Sequence, residues 1–301
     1  MKRCSRVSIG LPVFNGEVYL RQAIEAHLAQ TYGDFELIIS DNASADGTYD
    51  ICAEYCRLDE RIRLVRQPAN CGVNRNHMKV FALAGGEYFR WAAVDDIPSP
   101  DLLNHAVATL DQDRAVVAYV PATVNIDQDG RIGNRLPRTL DIRDESPVER
   151  ALAVLTRDYQ MVFPQGLMRR DALLSTNRQW HFFGWDFVLL FELALQGHLC
   201  HLEGPLLYRR LHKASAAHCT RKISEVRKWV DPTVRSRILM PHWKWAYERC
   251  RAVVVSKLPV RDRVRLLALL ARHSCWDRKA LTKDVVMAAK VLLARADEYP
   301  F

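Results

Sequence analysis

The chain has 301 residues, 49% of them hydrophobic and 26% charged, which is ordinary for a globular protein and long enough for one large α/β domain with a smaller appendage. No apolar run approaches the roughly 18–20 residues of a membrane-spanning helix, and the apolar segment after the basic N-terminus is too short for a signal peptide, so a cytoplasmic protein is expected. The eight cysteines form no Cys-x-x-Cys pair, which argues against a disulfide framework or a zinc site.

The net charge of +8 is concentrated at the C-terminal end of the chain. Residues 221–301 hold 19 Lys and Arg against 8 Asp and Glu, whereas residues 1–220 hold 24 against 27. This asymmetry indicates either an anionic partner for the C-terminal segment or a solvated helical surface. The sequence leaves the choice between the two open.

Predicted strands and helices alternate over the first hundred residues. Apolar runs predict strands over residues 7–11 and 35–39, a short third strand that stops at Pro68, and a fourth that runs into Asp95. Helices are predicted between them, in GEVYLRQAIEAHLAQTY, TYDICAEYCRLD and NHMKVFALAGG. This order predicts a parallel sheet with helices on both faces, in which ligands bind beyond the carboxyl ends of the strands.

The remainder of the chain predicts a less regular continuation. A helix is expected over residues 101–110, then a strand and a hairpin that turns at Asp129-Gly130, and then a polar surface loop over residues 132–147. PVERALAVL predicts a helix, and MVFPQGLMRRDALL predicts a strand leading into a helix. GWDFVLLFELALQG predicts an apolar helix, and LCHLEGPLLYRRLH predicts one or two edge strands. The last part of the chain shows helical spacing interrupted by prolines.

The fourth predicted strand ends in two adjacent acids, in the stretch RWAAVDDIPSP. One acid is enough to cap the helix that follows, and Asp101 already supplies it. Two further carboxylates side by side, with no Lys nearby, would repel each other. A divalent cation held by Asp95 and Asp96, and bridging phosphate oxygens, is therefore the better explanation of this pair.

Three segments carry a resemblance to a known family: VSIGLPVFNGEVYLRQAIEAHLAQTYGDFELIISDNASADGT, NCGVNRN and GGEYFRWAAVDD. In this order and spacing they resemble the inverting glycosyltransferases of family 2. The resemblance implies that residues 1–220 form a GT-A domain, a Rossmann-like α/β fold with a mostly parallel sheet. Residues 221–301, which no recognised motif covers, are expected to form a basic helical extension. The resemblance also implies a nucleotide-diphosphate sugar donor and Mg²⁺ or Mn²⁺ as cofactor.

The resemblance assigns donor-binding roles residue by residue. Pro12, Phe14 and Glu17 fall where the first loop of the family contacts the nucleoside. Ile39 and Asp41 fall where the end of the second strand holds the base, and the Asp41 carboxylate is expected to accept a base N–H.

The acid pair matches the Asp-x-Asp-type motif of the family, which implies that Asp95 contacts the ribose or sugar and that Asp96 ligates the metal. The run NCGVNRNHMKV departs from the family's frequent Ala-Arg-Asn, so either Lys79 or Arg75 is expected to replace that Arg as a donor contact. The segment YRRLHKASAAH resembles the family's closing segment, which makes His212 a candidate metal ligand or diphosphate contact. Three basic residues near it would balance phosphate charge: Arg209, Arg210 and Lys213.

The resemblance also implies a general base at the start of a later helix. The matching run is FFGWDFVLLF, which gives Asp186 as the residue that takes the proton of the acceptor hydroxyl. An N-cap role for the same carboxylate is compatible with this, because a capping acid can also face a cleft. Trp185 stands where an acid is common in the family, so the acceptor type stays open between sugars, lipid-linked saccharides and polysaccharides.

The basic extension allows two interpretations. Arginines and tryptophans around an apolar face suit the surface of an anionic membrane, which would place the protein at the inner face of the membrane. The same pattern suits helices that pack on the catalytic domain or on a second copy of the chain in a homodimer. A nucleic-acid partner is not expected, because the arrangement of aromatic and basic residues matches no known nucleic-acid motif.

Two other functions compete with a glycosyltransferase that acts in glycan, glycolipid or polysaccharide assembly. A sugar-phosphate nucleotidyltransferase would need a Gly-rich basic loop after the first strand, whereas LPVFNGE has one Gly and no basic residue. A non-catalytic nucleotide-binding module with an anion-binding tail would not need the acids at positions 41, 95, 96 and 186.

Overall fold

The structure is a computed structural model that describes residues 5–135, 140–157, 163–178, 180–212, 223–233 and 238–292. Its first half is a set of parallel strands joined by helices. The strands are β1 (Val7–Val13), β2 (Phe35–Asp41), β3 (Ile62–Arg66) and β4 (Tyr88–Trp91). The helices between them are α1 (Glu17–Leu28), α2 (Thr48–Leu58) and α3 (Val73–Leu83). This confirms the predicted parallel arrangement.

The second half adds strands of mixed direction to the same sheet. It contains β5 (Ile97–Pro98), α4 (Leu102–Gln112), β6 (Val116–Ile126), β7 (Ile132–Arg135), α5 (Pro147–Thr156), a 3-10 turn (Phe163–Gln165), β8 (Leu167–Arg169), α6 (Arg170–Leu174), α7 (Trp185–Gln196) and β9 (His198–Arg210). The strand order is β3-β2-β1-β4-β8-β6-β9-β5, and β7 pairs with β6. The sheet is therefore mostly parallel near β1 and mixed beyond β4.

Two sequence predictions need correction. Part of the polar loop expected over residues 132–147 is β7, which pairs antiparallel with β6 across the turn at Gly130. The predicted edge strand β9 lies inside the sheet, between β6 and β5. The strand β5 pairs with the side of β9 that faces away from β6. It has only two residues, one of them a proline, and is too short to be recognised from its sequence.

Hydrophobic residues on both faces of the sheet form two cores. The four apolar residues Val7, Ile9, Leu11 and Val13 of β1 pack with α1 and α4 on one face. Side chains of α3, α5 and α7 pack on the other face. Burial of both faces explains why the parallel strands are almost continuously apolar, since such strands lie between two helical layers.

The C-terminal helices pack against the α/β part of the chain. They are α8 (Ile223–Val230), α9 (Pro241–Val255), α10 (Val260–Trp276) and α11 (Arg278–Leu292). α8 contacts α3, α9 contacts α7 and α10 contacts α5. Val253 and Leu266 join the same core as α5 and α7. This extension therefore shares a hydrophobic core with the first domain, and contact with a membrane or with a second copy stays a prediction.

The described cysteines (52, 56, 71, 200, 250 and 275) are all free thiols, which agrees with the expectation of reduced residues. Within the described part of the chain, none of the helices is both long enough and apolar enough to span a membrane.

Candidate active site

Loops at the carboxyl ends of β1 and β4 meet the start of α7 in a cleft of about 460 Å³. The cleft lies where sequence reasoning placed the binding edge, beyond the ends of the parallel strands. Its walls include three predicted residues and five others: Pro12, Asp95 and Asp186, then Asn74, His77, Gln165, Trp185 and Trp229. The structure therefore brings Asp95, the first acid of the pair, and the candidate base Asp186 into one cavity.

The first loop is tied to the second by a carboxylate. Glu17 Oε2 accepts the backbone N–H of Gly47 at 2.6 Å, so this side chain fixes the distance between the two predicted nucleoside loops. Phe14 is exposed on the first loop, where its ring is accessible to a ligand. Ile39 is fully buried in the core below the end of β2. Its side chain therefore supports the loop through packing.

Asp41 is fully buried at the end of β2 and is paired with an arginine that the sequence did not indicate. Its Oδ1 accepts the backbone N–H of Ser44 at 3.1 Å, and its Oδ2 lies 3.2 Å from Nε of Arg66. The Arg66 guanidinium also lies over the ring of Tyr49, 4.3 Å from the ring centre. Arg66 ends β3, and only the parallel pairing of β3 with β2 brings it to Asp41.

The two acids after β4 have different surroundings. Asp95 lines the cleft, and its Oδ2 lies 3.0 Å from Nε2 of His212. Asp96 is buried; its Oδ1 accepts the backbone N–H of Arg210 at 2.9 Å and its Oδ2 accepts the side-chain N–H of Gln165. The contact with His212 is thus made by Asp95, whereas the sequence placed the metal on Asp96. Burial and the neighbouring Asp95 raise the pKa of Asp96 to about 7.

Arg210 holds the backbone of the acidic loop. Its guanidinium donates to the backbone oxygens of Asp95, Asp127 and Gln128 and to the side-chain oxygen of Gln22. Only 3% of Arg210 is exposed. The positive charge expected to balance a phosphate is therefore used to fix the loop. Lys213, expected in the same role, lies outside the described residues.

The residues around Asp95 fit a divalent cation that also binds the donor. Ligands about 2.1 Å from a metal and at right angles to each other lie about 3.0 Å apart, which is the separation of Asp95 Oδ2 and His212 Nε2. Among the described residues, no group of three or more acidic, His or Cys side chains is arranged to hold a metal. The Asp95 carboxylate is the kind of oxygen ligand that Mg²⁺ and Mn²⁺ prefer, and a metal at this position stays a prediction.

Asp186 lies in the first turn of α7 and faces the cleft. Its Oδ1 accepts the backbone N–H of the next residue, Phe187, at 3.2 Å. The N-cap role considered from the sequence is wrong, because α7 begins at Trp185 and its cap position is Gly184. The preceding Gly184 has a φ of 72°, a left-handed conformation that favours glycine. Burial raises the pKa of Asp186 to about 6. A carboxylate with a pKa near neutrality is suited to accept a proton from a hydroxyl group.

Aromatic residues form the wall beside Asp186. Trp185 is buried, with its ring stacked on Trp180 at 5.5 Å between centres and set against Trp91 at 5.2 Å. The His77 ring is set edge-on to the Trp185 ring, with 5.9 Å between the ring centres. Trp185 is therefore fixed by other rings, and its packing role is observed directly.

His77 is a cleft residue that sequence reasoning missed. Its Nδ1 lies 2.8 Å from the carbonyl oxygen of Val73, and burial lowers its pKa to about 4. The imidazole is therefore neutral at physiological pH, Nδ1–H donates to the carbonyl, and Nε2 is left as an acceptor. The sequence signal was its position in the run NCGVNRNHMKV, between the two basic residues considered there.

Neither of those basic residues lines the cleft among the residues described there. Arg75 forms an ion pair with Asp231 at 3.0 Å and donates to Thr233. Lys79 is two residues after His77, which corresponds to about 200° around the helix, so it projects from the opposite side of α3. The donor-binding role of Lys79 stays a prediction, and the geometry of α3 favours His77 as the cleft residue.

The C-terminal extension contributes to the cleft, which the sequence did not indicate. Trp229 and Val230, at the end of α8, form part of its wall. A Cβ on Gly72 would lie 2.5 Å from the carbonyl oxygen of Val230, so only glycine allows this approach of the two segments. No motif in the tail marks these residues, because their position depends on the packing of α8 on α3.

Relatives by sequence share parts of the chain. An uncharacterised glycosyltransferase of Rickettsia prowazekii is 34% identical over 119 residues, 38% of this chain and 35% of its own length. The putative glycosyltransferase EpsH of Bacillus subtilis is 25% identical over 206 residues, 68% of this chain and 55% of its own length. Chondroitin synthase of Escherichia coli is 29% identical over 132 residues, 44% of this chain and 19% of its own length. The chain thus spans only part of the length of these relatives.

A solved structure shows the same fold over most of the chain. The S. aureus TarS fragment 1–349 in complex with UDP-GlcNAc matches 89% of this chain and 72% of its own, with a TM-score of 0.64 and 14% identity. This confirms a GT-A-like α/β fold with C-terminal helices. The model of glycosyl transferase family 2 matches residues 8–190, more than half of the chain. The chain therefore belongs to glycosyl transferase family 2.

Proposed function

We propose that this chain transfers a sugar from a nucleotide-diphosphate sugar to an acceptor hydroxyl, with inversion at the anomeric carbon and with the help of a divalent cation. The observation that carries the proposal is the placement of Asp95, which is paired with His212, and of Asp186 in the wall of one cleft. These groups supply the two needs of such a reaction, a site for the diphosphate and a base for the hydroxyl.

The donor would bind across the ends of β1, β2 and β4. The two loops joined by Glu17 and Gly47, together with Phe14, would hold the nucleoside, and the buried Asp41 would support the second loop through its hydrogen bond from Ser44. UDP-GlcNAc bound to TarS, which has the same fold, supports a nucleoside-diphosphate sugar as the donor class. The identity of the base and of the sugar is left to experiment.

Asp95 and His212 would hold the cation, with Asp96 as the second carboxylate of the site. Both oxygens of Asp96 already accept hydrogen bonds, whereas Asp95 faces the cleft and has its imidazole partner at the separation expected for two ligands of one ion. When bound, Mg²⁺ or Mn²⁺ would neutralise negative charge on the diphosphate leaving group.

Asp186 would act as the general base. Its carboxylate would take the proton of the acceptor hydroxyl while that oxygen attacks the anomeric carbon and the bond to the diphosphate breaks. Because the attack comes from the face opposite the leaving group, the configuration at that carbon is inverted. Trp185 and Trp229 would enclose the acceptor side and exclude water, so that transfer competes with hydrolysis of the donor.

The acceptor is proposed to be a growing glycan, glycolipid or polysaccharide. The similarity to chondroitin synthase supports a role in polysaccharide assembly. A peripheral contact with an anionic membrane surface would use exposed apolar residues of α10, which alternate with arginines: Val260, Val264 and Trp276. This contact would place a lipid-linked acceptor beside the cleft.

Calorimetry with UDP, with and without Mn²⁺, tests the proposal. We expect UDP to bind to the wild-type chain, and more tightly when Mn²⁺ is present. Absence of binding of UDP and of the other common nucleoside diphosphates, in both conditions, would contradict the proposed function. A screen of nucleotide sugars for donor hydrolysis then identifies the sugar.

A further inference from the structure

Trp245, on α9 of the extension, contacts the turn that carries Asp186 at three points. Its indole Nε1–H donates to the backbone oxygen of Phe183 at 2.7 Å. Its ring lies against the Cα of Gly184 and 5.1 Å, between ring centres, from Phe187. These residues immediately precede and follow Trp185 and Asp186, so Trp245 holds both ends of the segment that presents the base.

The contact with Gly184 is close enough to exclude any side chain. A Cβ at this position would lie 2.5 Å from Cζ2 of Trp245 and 2.7 Å from its Nε1. Gly184 also has a left-handed backbone and caps α7 without a side-chain hydrogen bond. The first turn of α7 therefore lacks the cap that Ser, Thr, Asp or Asn would give, and the contact with the indole ring supplies an external support.

Trp245 is itself braced from α11. Its ring packs on His242 at 4.9 Å between centres. His242 Nδ1 lies 2.9 Å from Oδ1 of Asp284, and Asp284 Oδ2 accepts the backbone N–H of His242 at 2.8 Å. Asp284 is fully buried. A chain of direct contacts thus runs from a buried carboxylate in α11 through His242 and Trp245 to the turn at Gly184.

The other side of the same turn is fixed by the catalytic domain. Trp185 packs on Trp91 and Trp180 of the hydrophobic core. Asp186 lies between this fixed ring and the turn held by Trp245, and its carboxylate accepts the backbone N–H of Phe187. The position of the carboxylate is therefore set by the backbone of the turn.

We propose that Trp245 is a positioning residue for the reaction, through which the C-terminal extension holds the Asp186 carboxylate toward the cleft. This inference rests on the proposed function, in which Asp186 is the general base. Through this contact the C-terminal extension helps to set the geometry of the active site. The indole N–H is the specific element, because it anchors the Phe183 carbonyl one residue before the cap.

A matched pair of variants on α9 tests the inference. Trp245→Phe keeps an aromatic ring and removes the N–H that reaches Phe183. Trp243→Phe makes the same change two residues earlier, where Nε1–H donates to the backbone oxygen of Leu281 at 3.0 Å, away from the cleft. We expect Trp245→Phe to lower kcat about 10- to 100-fold, since small displacements of a reacting group cost this much, with UDP affinity and donor KM unchanged. Trp243→Phe should keep the wild-type kcat.

Gly184→Ala disturbs the same contact from the opposite side. It should lower kcat in the same way, with UDP affinity retained, and it serves if Trp245→Phe does not fold. Equal kcat values for Trp245→Phe and Trp243→Phe, or a loss in Trp245→Phe that affects donor KM and UDP affinity as much as kcat, would overturn the inference.

A measurement without substrate separates this inference from the proposed function. The carboxyl carbon of Asp186 can be titrated by NMR in the wild type, in Trp245→Phe and in Trp243→Phe. Release of the turn would admit water and return the pKa of Asp186 toward its ordinary value of about 4 in Trp245→Phe alone. An unchanged pKa of Asp186 in Trp245→Phe contradicts the positioning role of Trp245. Full activity of Asp186→Asn contradicts the base role of Asp186, and the titration then remains as the test of positioning.

Discussion

The loop that carries Asp95 and Asp96 and the turn that carries Asp186 face the same cleft, but the protein holds them by different means. The acid pair is surrounded by side-chain and backbone donors from Gln165, Arg210 and His212. Asp186 has a backbone N–H and aromatic neighbours. A polar shell suits groups that must stay charged to hold a cation, and a poorly solvated position suits a base whose pKa must approach neutrality.

Burial raises the pKa of Asp96 and of Asp186, and only Asp96 also has a charged neighbour that raises its pKa further. Asp96 has its pKa raised to about 7 by burial and by a second carboxylate beside it, a repulsion that a bound cation would remove. Asp186 has its pKa raised to about 6 by burial, with no neighbouring charge among the causes. Binding of donor and metal should therefore affect the acid pair strongly and Asp186 little. The predictions below test this contrast.

The largest effect is expected from Asp186→Asn. This substitution keeps the size of the side chain and removes the base, so kcat should fall about 10²- to 10⁴-fold while UDP affinity is retained. Steady-state kinetics with the identified donor, together with calorimetry, measure both quantities. Asp171→Asn is a matched control, because Asp171 also lies in the first turn of a helix and accepts a backbone N–H, in α6 away from the cleft. Activity of Asp186→Asn within a few-fold of the control would contradict the base role and leave Asp186 with a structural role only.

The next effect distinguishes the two adjacent acids. Asp95→Asn should remove the increase in UDP affinity that Mn²⁺ produces, because it weakens the ligand that faces His212. Asp96→Asn should keep most of this increase, because its Oδ1 still accepts the N–H of Arg210 and the Gln165 amide can rotate to offer its unpaired Oε1. Calorimetry with and without Mn²⁺ compares the variants. The reverse order would return the metal to Asp96, as the sequence motif implied.

Most of the strands and loops on the donor side of the cleft could be predicted from the sequence, because each of them is visible as a local pattern. Apolar runs identified β1 and β2, although each continues two residues further than expected, to Val13 and Asp41. Pro12 and the polar pair Ser40-Asp41 look like loop residues, but the pairing of β1 with β2 extends through them. The placement of Asp95 and Asp186 in one cleft followed from the resemblance to the family.

The contacts that surround Asp186 and Asp41 could not be predicted, because they come from distant parts of the chain. Trp229 and Trp245 reach the cleft and the α7 turn only through the packing of α8 on α3 and of α9 on α7. Arg66 meets Asp41 only through the register of β3. A single sequence shows which residues are aromatic or charged, and not which surface a helix with several apolar faces will contact.

The pH dependence of kcat gives a moderate effect. A base with a pKa of about 6 is protonated below that pH and cannot accept a proton, so kcat should fall about tenfold for each pH unit below 6. A pH series of kcat at saturating donor and metal measures this limb. The limb should persist in Asp96→Asn, which removes an acid of the neighbouring loop whose pKa is raised to about 7. A limb near pH 4 would show that burial does not raise the pKa of Asp186 in the working enzyme.

The smallest effect is expected at the contact between α3 and the segment after α8. Asp231 is buried and accepts hydrogen bonds from Arg75 and Thr233. Burial alone would raise its pKa, but the hydrogen bonds from Thr233 and Arg75 together with the charge of Arg75 hold the pKa below the usual value. Asp231→Ala should lower the free energy of unfolding by about 1–2 kcal/mol. Because the folded-state pKa is depressed, this contribution is present at neutral pH and is lost as the pH falls through the carboxyl range.

An exposed ion pair gives the control for this last prediction. Glu54→Ala breaks the pair between Arg21 and Glu54, whose side chains are 51% and 46% exposed, and should change stability less than Asp231→Ala does, because solvent screens an exposed pair. Denaturant unfolding of the two variants at pH 7 and pH 4 measures the difference. Asp231→Ala should differ from the wild type more at pH 7 than at pH 4. Equal effects of the two substitutions at pH 7 would mean that the contact behind Trp229 is no stronger than a surface ion pair, and that other contacts keep α8 against the cleft.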